Sequence, residues 1–89
     1  MPTISTFYGI TVMMYWMDTG EHNRPHIHTR YAEYDASVDI KTGERLAGDF
    51  PRKKFNLVQT WIELHRDELL ANWEAACDGQ QINKIEPLK

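Results

Sequence analysis

Cysteine is nearly absent from this sequence. Cys77 stands alone among 89 residues, so no disulfide forms within the chain, and a single thiol suits a reducing compartment. Long hydrophobic runs are missing too: the longest, Val12 to Met17, is far short of a membrane span. The N-terminus has no basic segment followed by a signal-type apolar core, and the expected location is the cytoplasm. Positive charge is in deficit. Ten Lys or Arg face thirteen Asp or Glu, a formal charge of −3, which is the wrong sign for holding nucleic acid by broad phosphate neutralisation. DNA binding is therefore not expected, and RNA binding is disfavoured. Internal repeats and low-complexity runs are also lacking.

What is present is a globular composition, 42% hydrophobic with three Trp, four Tyr and three Phe. This length suits a single domain over residues 1–89 with one modest core. Residues 1–49 read as an antiparallel meander. Thr3 to Tyr8 and Ile10 to Met17 form two strands about a tight turn at Gly9, and the second, apolar on both faces, is expected inside the sheet. Asp18 to Pro25 holds the turn formers Gly20, Asn23 and Pro25, and a third strand begins at or just after Pro25. A turn or bulge over Ala32 to Tyr34 leads to a strand over Ala36 to Ile40. Lys41 to Glu44 then turns the chain into a short strand at Arg45 to Gly48.

The period changes after Asp49. Pro51 suits a first helical turn, and Phe55, Val58, Trp61, Ile62, His65, Leu69, Trp73 and Ala76 recur at spacings of three and four, with Gly79 at the end. A straight helix from Pro51 to Asp78 would run about 42 Å, whereas a compact chain of this size is roughly 30 Å across. A bend or break is expected near His65 to Asp67. Residues 50–79 are thus the helical segment, and 80–89 a tail or edge strand. The fold class is α+β: an antiparallel sheet of four to five strands packed against a long, bent or broken C-terminal helix.

The stretch Glu21 to Tyr31 holds three of the four histidines. His26 and His28, two apart on a strand, project from one face with Cα atoms about 6.6 Å apart. His22, returned by the Asn23 to Pro25 turn, offers a third nitrogen. In one reading His22, His26 and His28 bind a transition metal such as zinc or iron, with Asp18, Glu21 or His65 completing the shell. In a second, His26 and His28 exchange protons, Arg30 or the Lys53 and Lys54 pair steadies an anion, and Tyr31 or Tyr34 stacks on a ring. In a third, the histidines close the sheet edge, and the domain binds a partner. His65 lies within the apolar stripe of the helix and reads as a hydrogen-bonded core histidine. Arg52, Lys53 and Lys54 occupy a first helical turn, where free N–H groups and cations can together receive a phosphate.

The chain resembles the small bacterial proteins of domain-of-unknown-function family 4160. The residues that carry this are Met1-Pro2-Thr3-Ile4, His22-Asn23-Arg24-Pro25-His26-Ile27-His28 with Tyr31, Gly48-Asp49-Phe50-Pro51-Arg52-Lys53, Leu57-Val58, Trp61, His65-Arg66-Asp67-Glu68-Leu69, Asn72-Trp73 and Ile85-Glu86-Pro87-Leu88. The family pattern usually has a second proline where this chain has Arg24, and often Glu-Trp where it has Thr60-Trp61. Genes of this kind often stand beside those of another small uncharacterised family. The resemblance therefore implies a two-gene module, of the toxin–antitoxin sort, with a partner protein from the adjacent gene.

The functional expectation is an accessory or toxin–antitoxin-like component with a histidine-rich site for an anionic or RNA-like ligand or a partner protein. His26, His28 and Tyr31 are the candidate catalytic residues, and Arg30, Arg52, Lys53 and Lys54 the ligand contacts. A metal-binding protein using His22, His26 and His28 is one alternative. A pure interaction module with structural histidines is the other, and whether the protein is an enzyme stays open.

Overall fold

In the computed structural model, which describes residues 3–15 and 24–89, five strands precede one helix. They are β1 (Thr3–Phe7), β2 (Ile10–Met13), β3 (His26–Tyr31), β4 (Tyr34–Asp39) and β5 (Arg45–Gly48), followed by α1 (Arg52–Cys77). The sheet is antiparallel throughout and keeps sequence order, β1-β2-β3-β4-β5. This is the expected α+β meander covered by a C-terminal helix.

Two tight loops set the register. Tyr8 and Gly9 link Phe7 to its partner Ile10 with φ of 50° and 79°, the pair of left-handed residues that a two-residue hairpin turn of the favoured twist needs. Ala32 and Glu33 link Tyr31 to Tyr34, with Ala32 at φ 52°. From that loop outward every pair of β3 and β4 follows: Arg30 faces Asp35, His28 faces Ser37 and His26 faces Asp39. At the far end of β5, Gly48 has φ 84°, and a Cβ there would lie 2.1 Å from the Asp35 carbonyl oxygen. Only glycine lets β5 close on β4 at that point.

Alternation is clearest along β3 and in the ladders beside it, whereas β5 is exposed throughout and the β1–β2 and β4–β5 ladders each carry a register shift. Ile10, Val12, Ile27, Thr29, Ala36 and Val38 are buried on one face, where Val58, Trp61, Ile62 and Leu69 of α1 cover them. Trp61 is completely buried, and its ring lies 5.3 Å from that of Phe7. The opposite face carries Thr11, Met13, His26, His28, Arg30, Asp35, Ser37 and Ala47, which are cross-strand neighbours in the β2 to β5 ladders. β2 is an interior strand, as its two apolar faces required. It ends at Met13 rather than at Met17, and Trp16 and Met17 lie outside the described residues.

At 1.5 Å per residue a straight 26-residue α1 would be about 39 Å long, more than the 34 Å longest extent of the fold. The helix bends at His65, whose φ of −120° and ψ of 22° are not helical, as the length argument predicted. Each half is tied to the sheet by a side chain. Gln59 donates to the Gly43 carbonyl at 2.9 Å, and Arg66 Nε donates to the Ile40 carbonyl at 2.9 Å. Pro51 proves to be the N-cap, one residue before the first turn, with no side-chain cap bond. At the other end the Gly79 N–H bonds the Ala76 carbonyl and the Gln80 N–H bonds the Ala75 carbonyl, closing the helix in a Schellman arrangement.

Of the two forms expected of residues 80–89, the structure shows the tail. Residues 80–89 form no strand; one backbone bond, Ile85 N–H to the Ile4 carbonyl at 2.8 Å, joins them to β1. Pro87 has no N–H to continue a ladder. Helix side chains hold the segment instead. The buried Asn72 amide both donates to the Asn83 carbonyl and accepts its N–H, and Trp61 Nε1 donates to the Glu86 carbonyl at 2.8 Å. Strand β4 also begins earlier than expected, at Tyr34, and stops at Asp39 because that side chain turns the chain. Its Oδ1 accepts the N–H groups of Lys41 and Thr42 at 2.7 and 3.0 Å.

Candidate functional site

Alternation along β3 decides which side chains meet. His26, His28 and Arg30 share one face of β3, while Ile27, Thr29 and Tyr31 share the face packed on the core; at the His26 end the second half of α1 also reaches the histidine side. The imidazoles of His26 and His28 are neighbours, with ring centroids 5.1 Å apart and planes at 72°. Tyr15 stands edge-on to His28 at 4.5 Å, and Trp73 of the second half of α1 lies 5.1 Å from His26. Four rings thus run in file from the open face to the helix. Beside them is a shallow groove of about 320 Å³ lined by Met13, Tyr15, His28, Arg30, Ser37 and Ala47 among others.

Each histidine has a protein oxygen at Nδ1. His26 Nδ1 is 2.7 Å from the Arg24 carbonyl oxygen and donates to it, since a carbonyl only accepts. His28 Nδ1 is 3.4 Å from the Ser37 hydroxyl. Arg24 is anchored in turn: its Nε meets Asp39 Oδ2 at 3.0 Å, where the Asp39 side chain is 3% exposed. A carboxylate so buried needs partners for its lone pairs, and Arg24 with the Lys41 and Thr42 N–H groups supplies them.

Arg30 Nε donates to Asp35 Oδ1 at 2.9 Å, and both side chains are exposed. The hydrogen bond to Asp35, and then its charge, raise the Arg30 pKa above the ordinary guanidinium value. Arg30 is therefore a permanent cation whose partner sits at the surface, where a competing anion has access.

The remaining predicted residues are elsewhere. Tyr31 lies on the helix-covered side against Phe50, with Lys54 Nζ 4.9 Å from its ring centre. Lys54 also donates to the Tyr8 carbonyl at 3.3 Å, and Arg52 and Lys53 are exposed beside it. The basic turn and Tyr31 thus form a second locality, at the end of β3 away from His26. Tyr34 packs against the core. His65 is partly buried, bonded to Glu68 Oε1 at 2.7 Å and tilted against Trp61 with ring centroids 5.6 Å apart, close to the core role expected of it. His22, Asp18 and Glu21 lie outside the described residues. Among the described residues no group of three His, Cys, Asp or Glu side chains is placed to hold a metal ion.

Sequence reasoning missed Tyr15, Ser37 and Asp39 as neighbours of the histidines. Ser37 and Asp39 were within reach of it. A two-residue loop at Ala32 and Glu33 places each opposite a histidine by counting alone.

Fold and site together define a small single-helix α+β domain that carries a histidine pair on the open face of its sheet. The chain belongs to the family described as Domain of unknown function (DUF4160), whose model matches residues 9–74. The matching segment runs from Gly9 in the β1–β2 turn to Glu74 and stops short of the closing Ile85 to Leu88. No curated protein and no solved structure matches the chain. Among the described residues no helix is long and apolar enough to cross a membrane.

Proposed function

We propose that this protein is the small component of a two-gene, toxin–antitoxin-like module and that it receives an anionic, RNA-like ligand on the open face of its sheet. The observation that carries the reading is the juxtaposition of His26 and His28, 5.1 Å apart, on the face that also presents Arg30. Two imidazoles can donate to phosphate oxygens or exchange protons with a ribose hydroxyl. Arg30 leaves a surface carboxylate for a bidentate phosphate at little cost, because exposed ion pairs contribute little. Tyr15 offers an aromatic ring beside them. The basic turn at Arg52 to Lys54 belongs to the other locality and is assigned no part in this contact.

Fluorescence anisotropy with a labelled single-stranded RNA of mixed sequence tests this directly. Replacing His28 or Arg30 by alanine is expected to weaken binding about tenfold each, equivalent to about 1.4 kcal/mol in an equilibrium constant. Unchanged binding in the His26→Ala, His28→Ala double variant sinks the proposal. Loss of capture of the neighbouring gene's product in that variant, with RNA binding intact, moves the site to a partner protein.

A second reading, a zinc or iron site, is favoured by one specific feature. Both histidines turn Nδ1 toward a protein oxygen, as metal-bound imidazoles commonly do. Elemental analysis of the untagged protein beside the double variant decides it. A stoichiometric metal present in the parent and lost in the variant supports the site, and none in either after reconstitution removes it.

A further inference from the structure

We propose that Asp35 is a built-in competitor at the ligand site, a carboxylate that occupies Arg30 until a phosphate displaces it. This rests on the reading of the open face as an anion site and adds how that site is held in the ligand-free protein. The pairing follows from the loop. Because only Ala32 and Glu33 separate Tyr31 from its partner Tyr34, Arg30 falls directly opposite Asp35 in the β3–β4 ladder. Both line the groove that His28, Ser37 and Tyr15 also line, and Arg30 Nε donates to Asp35 Oδ1 at 2.9 Å. Among the described residues of that groove, Arg30 is the only Lys or Arg and Asp35 the only Asp or Glu. The strongest cation of the site is thus matched by the carboxylate beside it.

The two partners differ in how firmly they are held. Strand β4 lies between β3 and β5, the Asp35 carbonyl accepts the Asp49 N–H at 2.9 Å, and Gly48 packs on that carbonyl so closely that no Cβ would fit. A short side chain on so fixed a backbone keeps its carboxylate in the groove. Arg30 stands on a long, flexible and exposed side chain, so it is the member that moves. To take Arg30, a phosphate has to draw the guanidinium away from a carboxylate that stays in place and repels it. That cost falls on every anion alike. Exposed pairs of this kind are weak, and the competition lowers affinity by about threefold to fivefold rather than abolishing binding. The same pairing raises the Arg30 pKa, first through the hydrogen bond and then through the charge of Asp35. A change of pH in the neutral range therefore does not release the pair by discharging the arginine, whereas a competing anion does.

The test is a double-mutant cycle on Arg30 and Asp35 in the full-length protein. It is read with the labelled single-stranded RNA of mixed sequence and, separately, with inorganic phosphate at constant ionic strength, followed by NMR at the Arg30 Nε–H signal. Asp35→Asn keeps the shape of the side chain and removes its charge, and it is expected to tighten both ligands about threefold to fivefold. Asp35→Ala removes the acceptor as well and should tighten them at least as much. Both changes leave the backbone bond from Asp49 to residue 35 in place. Glu33→Gln takes the same charge from the adjacent loop and measures the general effect of charge. In an Arg30→Ala background the RNA gain from Asp35→Asn should shrink to that of Glu33→Gln. A gain from Asp35→Asn no larger than that of Glu33→Gln, or one that survives in Arg30→Ala, overturns the proposal. Weaker binding in both Asp35 variants also overturns it, since Asp35 would then be a support for Arg30. The phosphate arm needs no RNA, so the two readings fail separately. Tighter phosphate binding in Asp35→Asn with histidine-independent RNA binding would fail the function alone. Histidine-dependent RNA binding with no gain in either Asp35 variant would fail this inference alone.

Discussion

The two faces of the sheet share strands and even consecutive residues, yet they follow opposite rules. On the helix side Val12, Ile27 and Val38 are wholly buried under Trp61 and Ile62, and the strands add few polar groups there: Ser5 opposite Val12, and Thr29, whose hydroxyl is spent on the Ala36 carbonyl at 3.0 Å. On the open side the residues between them are polar: Arg30 donates to Asp35, and the Ser37 hydroxyl lies beside His28. The difference shows how little separates a core from a site in a one-layer sheet. Because side chains alternate with period two, slipping β3 by one residue would send the histidines under the helix and Ile27 into water. Burial on one face thus fixes the geometry of the chemistry on the other.

The largest test of this contrast sets Trp61→Ala against the His26→Ala, His28→Ala double variant in urea denaturation. Removing the fully buried indole leaves a cavity and strips the Glu86 carbonyl of its donor, and a loss of about 3–5 kcal/mol is expected. The double variant should lose about 1–2 kcal/mol while losing ligand binding, since two half-buried rings give up their ring contacts and the His26 bond to the Arg24 carbonyl. Comparable losses from the two would mean that the open face is core as well.

Asp39→Ala sharpens the comparison at the place where the faces meet. The carboxylate is buried, accepts two backbone N–H groups and holds Arg24, so its removal is expected to cost about 1–3 kcal/mol. The same change should disturb the His26 ring, because Arg24 supplies the carbonyl that binds it. Line broadening of the His26 nitrogens is the measurement. A sharp, unmoved His26 signal in a destabilised variant would show that Arg24 holds its position without Asp39.

Sequence periodicity carried most of this architecture. Alternation predicted the strands around His26 to Ile40, the three-and-four spacing from Phe55 to Ala76 predicted the helix, and the length of that helix against the size of the fold predicted the bend that falls at His65. What it did not carry depends on contacts distant in sequence. Residues 80–89 read as a tail or an edge strand without a choice between them, because nothing local reveals that Asn72 and Trp61 will take up the Asn83 and Glu86 backbone groups. The site was half legible. The spacing of His26 and His28 put them on one face, whereas Tyr31, an odd number of residues from each, was bound to fall on the other. Ser37 becomes visible only once the loop length is known, and loop length is what residue composition specifies least.

That loop gives the smallest and most pointed test. Ala32 has φ 52°, a left-handed conformation that costs a residue with a Cβ roughly 1–2 kcal/mol. Glycine removes this cost but frees the unfolded chain by about 0.4–1 kcal/mol, so Ala32→Gly should gain about 0.5 kcal/mol net. The sign matters more than the size. A gain with the His28 to Ser37 pairing intact, read from cross-strand NMR contacts, confirms that a two-residue loop sets the register of the site. A loss would mean that the loop adopts another conformation in solution, and the facing of His28 by Ser37 would then need a different cause.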